Sequence, residues 1–183
     1  AYDQTGFIAA EQGRIAFNSS SFETATTYFS DIRPSSSHRS EFFKGIARIS
    51  NTLAKWDRFE HYDNKISDEL HESSKMLDRS LKSGNGTPEL VIFLEGIEKL
   101  KEGISELEGQ SQLIPGFIID IFQNAKRRFI LNRYDDCVGR LYRTLEAISQ
   151  YFLLKEFDIQ ADNPDYSKMN PEALQLYKND PNL

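Results

Sequence analysis

A single cysteine, three histidines and no long apolar run mark this 183-residue sequence by what it does without. Cys137 has no second cysteine to pair with, so an internal disulfide is excluded, and its place in an apolar-periodic stretch predicts a buried thiol. His38, His61 and His71 are scattered and distant from that cysteine, which argues against a His/Cys metal cluster. No apolar stretch approaches the roughly 18 residues that span a bilayer, and the opening AYDQTGFIAAEQG lacks the basic start and apolar middle of a signal peptide. These absences set the expectation of a soluble, cytoplasmic protein with no membrane partner and no bound metal. Alternating β-branched runs between hairpin turns are also missing, which argues against a sheet. SGNGTPE is glycine-rich, yet it follows no strand and lacks the lysine of a P-loop; it reads as a turn, and no cofactor is expected.

Helical spacing fills the remainder. Phe7, Ala10, Ile15 and Phe17 recur over residues 5 to 17, and Phe22, Ala25, Phe29 and Ile32 follow after the NSSS break, which offers serine caps. Gly13, Ala25 and Phe29 stand at the spacing of a tetratricopeptide helix pair; one such pair cannot bury its faces as a solenoid does, so a TPR-like hairpin packed on the rest is the plainer reading. A helix is expected from about Ser40, with Phe43, Ile46, Ile49 and Leu53 on one side. The stretch from Arg58 to Leu81 carries a thinner stripe, Phe59, Ile66, Leu70 and Leu77, and predicts a long helix with much of its circumference in water. SGNGTPE is the strongest punctuation, with a Thr cap and Pro88 at a first helical position, and the subdomain boundary is placed there: residues 1–84 and 85–183. Helices are expected over 88 to 108, from Pro115 to about Leu131, and, after the turn NRYDD with Asp135 or Asp136 as cap, to about Phe157. The fold class is therefore all-α, an antiparallel helical bundle with an N-terminal TPR-like hairpin region.

The net charge of −6 argues against a protein that coats DNA, and no DNA partner is expected. The average hides an asymmetry. Between Asn124 and Arg143 six basic residues face two acidic ones, a balance of +4 that leaves −10 elsewhere. In the last helix Val138, Leu141, Leu145, Ile148 and Phe152, flanked by Tyr142 and Leu153, form a continuous apolar stripe that reads as core. Arg140, Thr144, Ala147 and Tyr151 lie on an adjoining flank, while Arg143, Glu146 and Gln150 face away, with Arg143 and Glu146 at ion-pair spacing. Lys126, Arg127 and Arg128 close the preceding helix, where cations suit the dipole. An antiparallel turn would bring them and Arg133 to the same end as Arg140, an anion-facing end with guanidinium groups suited to phosphate. Arg140 comes first as a phosphate contact, with Arg143, Arg127 and Arg128 next and Lys126 and Arg133 beside them.

The run NAKRRFILNRYDDCVGRLYRTLEAISQYFL resembles a family of CRISPR-associated proteins of type III systems, in which a basic helix, a RYDDAV-like turn and an RLYRALE-like helix recur. The opening AYDQTGFIAAEQGRIAFNSSSFETATTYF is similar to the helical region that follows the sensor domain in that family. The resemblance implies an antiviral effector with an N-terminal CARF sensor of cyclic oligoadenylate, absent here and expected in a parent chain, followed by HEPN-like helices that cleave RNA without metal, often as a homodimer. It also implies an arginine followed after four to six residues by histidine; the C-terminal half contains no histidine, so such a motif would lie beyond Leu183, and this chain alone is expected to be inactive. One literal match, Arg33 to His38 in RPSSSH, is of a kind that arises about 0.5 times by chance in such a chain. It is a weak catalytic candidate beside its reading as a solvated connection. Two functions follow: a HEPN-like effector portion that binds RNA or, in the full-length protein, cleaves it, and a helical interaction or dimerisation module without catalysis.

Overall fold

The computed structural model describes residues 4–32, 37–59, 65–82, 87–108, 114–168, 171 and 175. Among them are seven α-helices and no strand: α1 (Gln4–Asn18), α2 (Phe22–Asp31), α3 (Ser37–Asp57), α4 (Ile66–Ser80), α5 (Pro88–Leu107), α6 (Pro115–Ile130) and α7 (Tyr134–Phe157), followed by a 3-10 turn at Tyr166–Lys168. The chain forms two compact units, Ala1–Gln110 and Ser111–Leu183.

In the first unit each helix packs on the next. The α1–α2 hairpin closes through small residues. A Cβ at Gly13 would stand 2.6 Å from the Phe29 ring, so only glycine lets α2 come so near. Phe29 then joins Ala16, Ala25, Ile32, Phe43 and Ala47 in one buried cluster. A second cluster joins Ile49, Leu53 and Ala54 of α3 to Ile66, Leu70 and Leu77 of α4 and Ile97 and Ile104 of α5. Helix α3 is the spine of the unit because its opposite ends serve both clusters.

The helix expected over 58 to 81 is shorter than its sequence suggested. Helix α3 runs on to Asp57, Arg58 and Phe59 close it by bonding back to Ala54, Lys55 and Trp56, and Phe59 takes a left-handed backbone (φ 63°) that ends the helix. Helix α4 is also no mainly solvated helix. Ile66, Leu70 and Leu77 are fully buried, and Ser67, Ser73, Ser74 and Ser80 are buried beside them. Those serines are polar by composition and small by shape, which lets α3 and α5 flank α4 closely; Ser73 returns its hydroxyl proton to the Glu69 carbonyl at 2.7 Å.

Polar ties complete the unit. Lys55 donates to both Glu69 oxygens at 2.7 and 2.8 Å, and Glu108, just past α5, accepts the Ser67 backbone N–H at 2.9 Å, supplying an orphan donor at the start of α4 with a partner from another helix. Because α5 docks on α4, the compact unit extends through it, whereas the sequence put its boundary ahead of α5, at a turn whose residues 83–86 lie outside those described.

Candidate nucleic-acid interface

The second unit is built on the α6–α7 hairpin. Pro115 opens α6 at a position where its missing N–H costs nothing. At the other end Asn132 adopts φ 57°, its N–H bonds the Phe129 carbonyl at 3.0 Å, and the Arg133 N–H bonds that of Arg128 at 2.9 Å. This paired return satisfies the last carbonyls of α6 and reverses the chain within three residues. Tyr134 donates its hydroxyl proton to the Asn132 side chain at 2.8 Å and stacks edge-on against Phe129. Arg133, not Asp135 or Asp136, is the N-cap of α7; the aspartates fall one step later, in the first turn, where their charge meets the positive end of the helix dipole.

Three faces run along α7, and their roles differ from the sequence reading. Cys137, Thr144 and Ala147 are buried, with Arg140 and Tyr151 half-buried in line with them, and this narrow flank is the seam against α6. The stripe that reads as core lies outside. Val138 is 65% exposed, Leu145 64% and Phe152 55%, and Leu141, Tyr142 and Ile148 are exposed with them. Small side chains at 137, 144 and 147 allow the close helix approach, and the large apolar ones, about a quarter-turn round the wheel, are left over. The third face carries Arg143, whose guanidinium reaches Glu146 and Gln150, each at 3.4 Å.

The α6 side of the seam is polar. Asp120, Asn124 and Arg128 recur at four-residue steps and are buried, Asn124 completely, beside Ile121 and Ala125. Arg128 Nε stands 3.9 Å from Asp136 Oδ2. That pair is consistent with an antiparallel α6–α7 packing in which residues nearer the start of α6 face later residues of α7. Buried polar atoms line this seam: Asp120 Oδ2, Asn124 Oδ1, Arg127 Nη2, Arg128 Nε and Arg140 Nε are all shut from solvent. Each of these five side chains is engaged by a neighbour. Charges so placed interact through a low-dielectric interior, which makes each partner costly to remove. Thr144 also returns its hydroxyl to the Arg140 carbonyl at 2.8 Å.

The cations singled out by sequence therefore separate into groups. Arg127, Arg128 and Arg140 gather at the seam, with Arg128 only 5% exposed. Lys126 and Arg133 stand exposed around the turn, and Arg143 lies on the outer flank beside Glu146. Arg33 lies outside the described residues; the backbone of His38 is in the first turn of α3, in the first unit, and its side chain is outside the described set. Among the described residues no cluster of His, Cys, Asp or Glu could hold a metal ion. Sequence reasoning passed over Asp120 and Asn124. The available signal was an Asp, an Asn and an Arg repeating every four residues on a helix otherwise apolar there.

No curated protein and no solved structure matches the chain. Among the described residues no helix is long and apolar enough to cross a membrane. Residues 97–181 match the family model described as Csm6 HEPN domain, a segment that takes in the second half of α5 and the whole of α6 and α7. Over that segment the match supports a CRISPR-associated HEPN family protein.

Proposed function

We propose that this chain is the helical effector portion of a CRISPR-associated antiviral protein and engages RNA through the turn end of the α6–α7 hairpin. The observation that carries this reading is the coincidence of the HEPN match with the most basic stretch of an otherwise acidic chain. Lys126, Arg133 and the open parts of Arg127 and Arg140 contact phosphates. Arg128 and Asp136 hold the register that places them, and Arg143, already turned to Glu146, adds a weaker contact. Planar guanidiniums held by buried partners lose little freedom on meeting a phosphate, which is why they suit this role. Cleavage is assigned to a longer parent, in which a CARF sensor controls it; Arg33 and His38 stay weak catalytic candidates, and this chain alone is expected to cut nothing.

The apolar stripe of α7 supports a second element of the reading, a homodimer through that face. Large side chains each gain about 1.5–3 kcal/mol on full burial, and a continuous exposed row of six has no other use in water. The same stripe favours the second reading, an interaction module without catalysis, if RNA is not bound. Fluorescence anisotropy with a single-stranded RNA decides between them. Binding is expected to be salt-dependent and to weaken at least about tenfold in the double variant Lys126→Glu, Arg133→Glu, with a shallower salt slope. Absence of RNA binding at low salt, or binding indifferent to the reversal, would overturn the RNA reading. Metal-independent cleavage by this chain, abolished by His38→Ala, would overturn the assignment of cleavage to the parent.

A further inference from the structure

Two aromatic rings stand beside the reversal of the α6–α7 hairpin, and the seam uses neither. Phe129, in the last turn of α6, is 60% exposed, and Tyr134, the first residue of α7, is 54% exposed. They meet edge to face, with ring centroids 5.7 Å apart and planes at 65°. A T-shaped pair covers at most one face of one ring, so aromatic surface is left open to solvent. The rings are also held in place. The Asn132 N–H bonds the Phe129 carbonyl at 3.0 Å from a left-handed backbone, and the Tyr134 hydroxyl bonds the Asn132 side-chain oxygen at 2.8 Å.

Cations frame the pair. Lys126 is exposed one helical turn before Phe129, and exposed Arg133 immediately precedes Tyr134. Among the described residues neither cation is engaged in an ion pair. Two large side chains that only covered the turn would do so equally well as aliphatic residues. Aromatic rings add a π face, and a base stacks on such a face whatever its identity, while neighbouring cations meet the backbone phosphates. Asn132, its oxygen taken by Tyr134, keeps its amide N–H groups for a base edge. A duplex hides its base faces within the stack, so an unpaired base is the partner that fits.

We propose that Phe129 and Tyr134 form a stacking platform for an unpaired RNA base, with Lys126 and Arg133 on the flanking phosphates and Asn132 at the base edge. The platform rests on the RNA reading of this hairpin and adds to it a contact that charge alone does not make.

Anisotropy titrations of the whole chain across a range of salt, with a single-stranded oligoribonucleotide and with its duplex, test the platform. The natural chain is expected to bind the single strand more tightly. The variant Phe129→Leu, Tyr134→Leu keeps apolar bulk over the turn and every cation. It is expected to weaken single-strand binding by about tenfold or more and to leave duplex binding unchanged. Its salt slope is expected to match that of the natural chain, because the same phosphates are met. Phe129→Trp, which enlarges the stacking face, is expected to bind at least as tightly as the natural chain. Four results would overturn the platform while the RNA reading stands: single-strand binding unchanged in the leucine variant, equal weakening for strand and duplex, a shallower salt slope, or weaker binding by Phe129→Trp. Loss of self-association in the leucine variant, read by sedimentation, would place the rings in a protein interface and overturn it equally. Absence of RNA binding by the natural chain at low salt would overturn both readings together.

Discussion

The two units of this chain use the same raw material, amphipathic helices, in opposite ways. In Ala1–Gln110 a large apolar core is closed: Ile49, Ile66, Leu70, Leu77 and Ile104 are sealed, although Phe7, Ile8 and Ile15 of α1 and Val91 and Ile92 of α5 stay exposed, and charges pair across the surface. In the α6–α7 hairpin the seam is small and polar, Asp120, Asn124, Arg128, Cys137, Thr144 and Ala147, while Val138, Leu145 and Phe152 face outward. A unit that closes on its own apolar residues is a scaffold. One that closes on buried charges leaves its apolar row with the hydrophobic gain still to be taken, which is the basis of the proposed homodimer.

The largest effect expected from breaking this contrast is at Leu70. Leu70→Ala empties a fully buried site and should cost about 2–5 kcal/mol, lowering the denaturation midpoint at every protein concentration. Next is the polar seam. Asp120→Ala removes a buried carboxylate that is engaged by a neighbour and should cost about 3 kcal/mol by urea titration, with Asn124→Ala milder because no charge is stranded. Gly13→Ala sharpens the description of the first unit: a methyl 2.6 Å from the Phe29 ring forces α1 and α2 apart, at about 1–3 kcal/mol. The smallest is Arg143→Ala, which removes a solvated pair with Glu146 and should shift stability by no more than about 0.5 kcal/mol.

Much of this architecture is legible in the sequence, and the exceptions share a cause. The start of α5 at Pro88, the start of α6 at Pro115 and the end of α7 at Phe157 follow from proline at first helical positions and from the loss of apolar spacing. Helix α4 was harder because its buried flank is serine, which composition reads as solvent-facing. The stripe of α7 misled for a deeper reason. A row of apolar residues states that it will be buried, not against what, and the choice between seam and stripe depended on which flank was narrow enough for α6. The cations proposed as phosphate contacts were visible as charge density, but their division into buried Arg128, turn-exposed Lys126 and Arg133, and outward Arg143 follows from helix phase and register across the turn. Asp120 and Asn124 become meaningful only once they are seen buried on the same flank of α6 as Arg128.

Sedimentation velocity over a range of concentrations, on the natural chain and on Leu145→Glu, tests the outward-facing hairpin most directly. The account predicts a concentration-dependent dimer that the glutamate converts to monomer while helicity by circular dichroism stays unchanged. A natural chain that remains monomeric throughout, or a variant that dimerises as well as its parent, would contradict it.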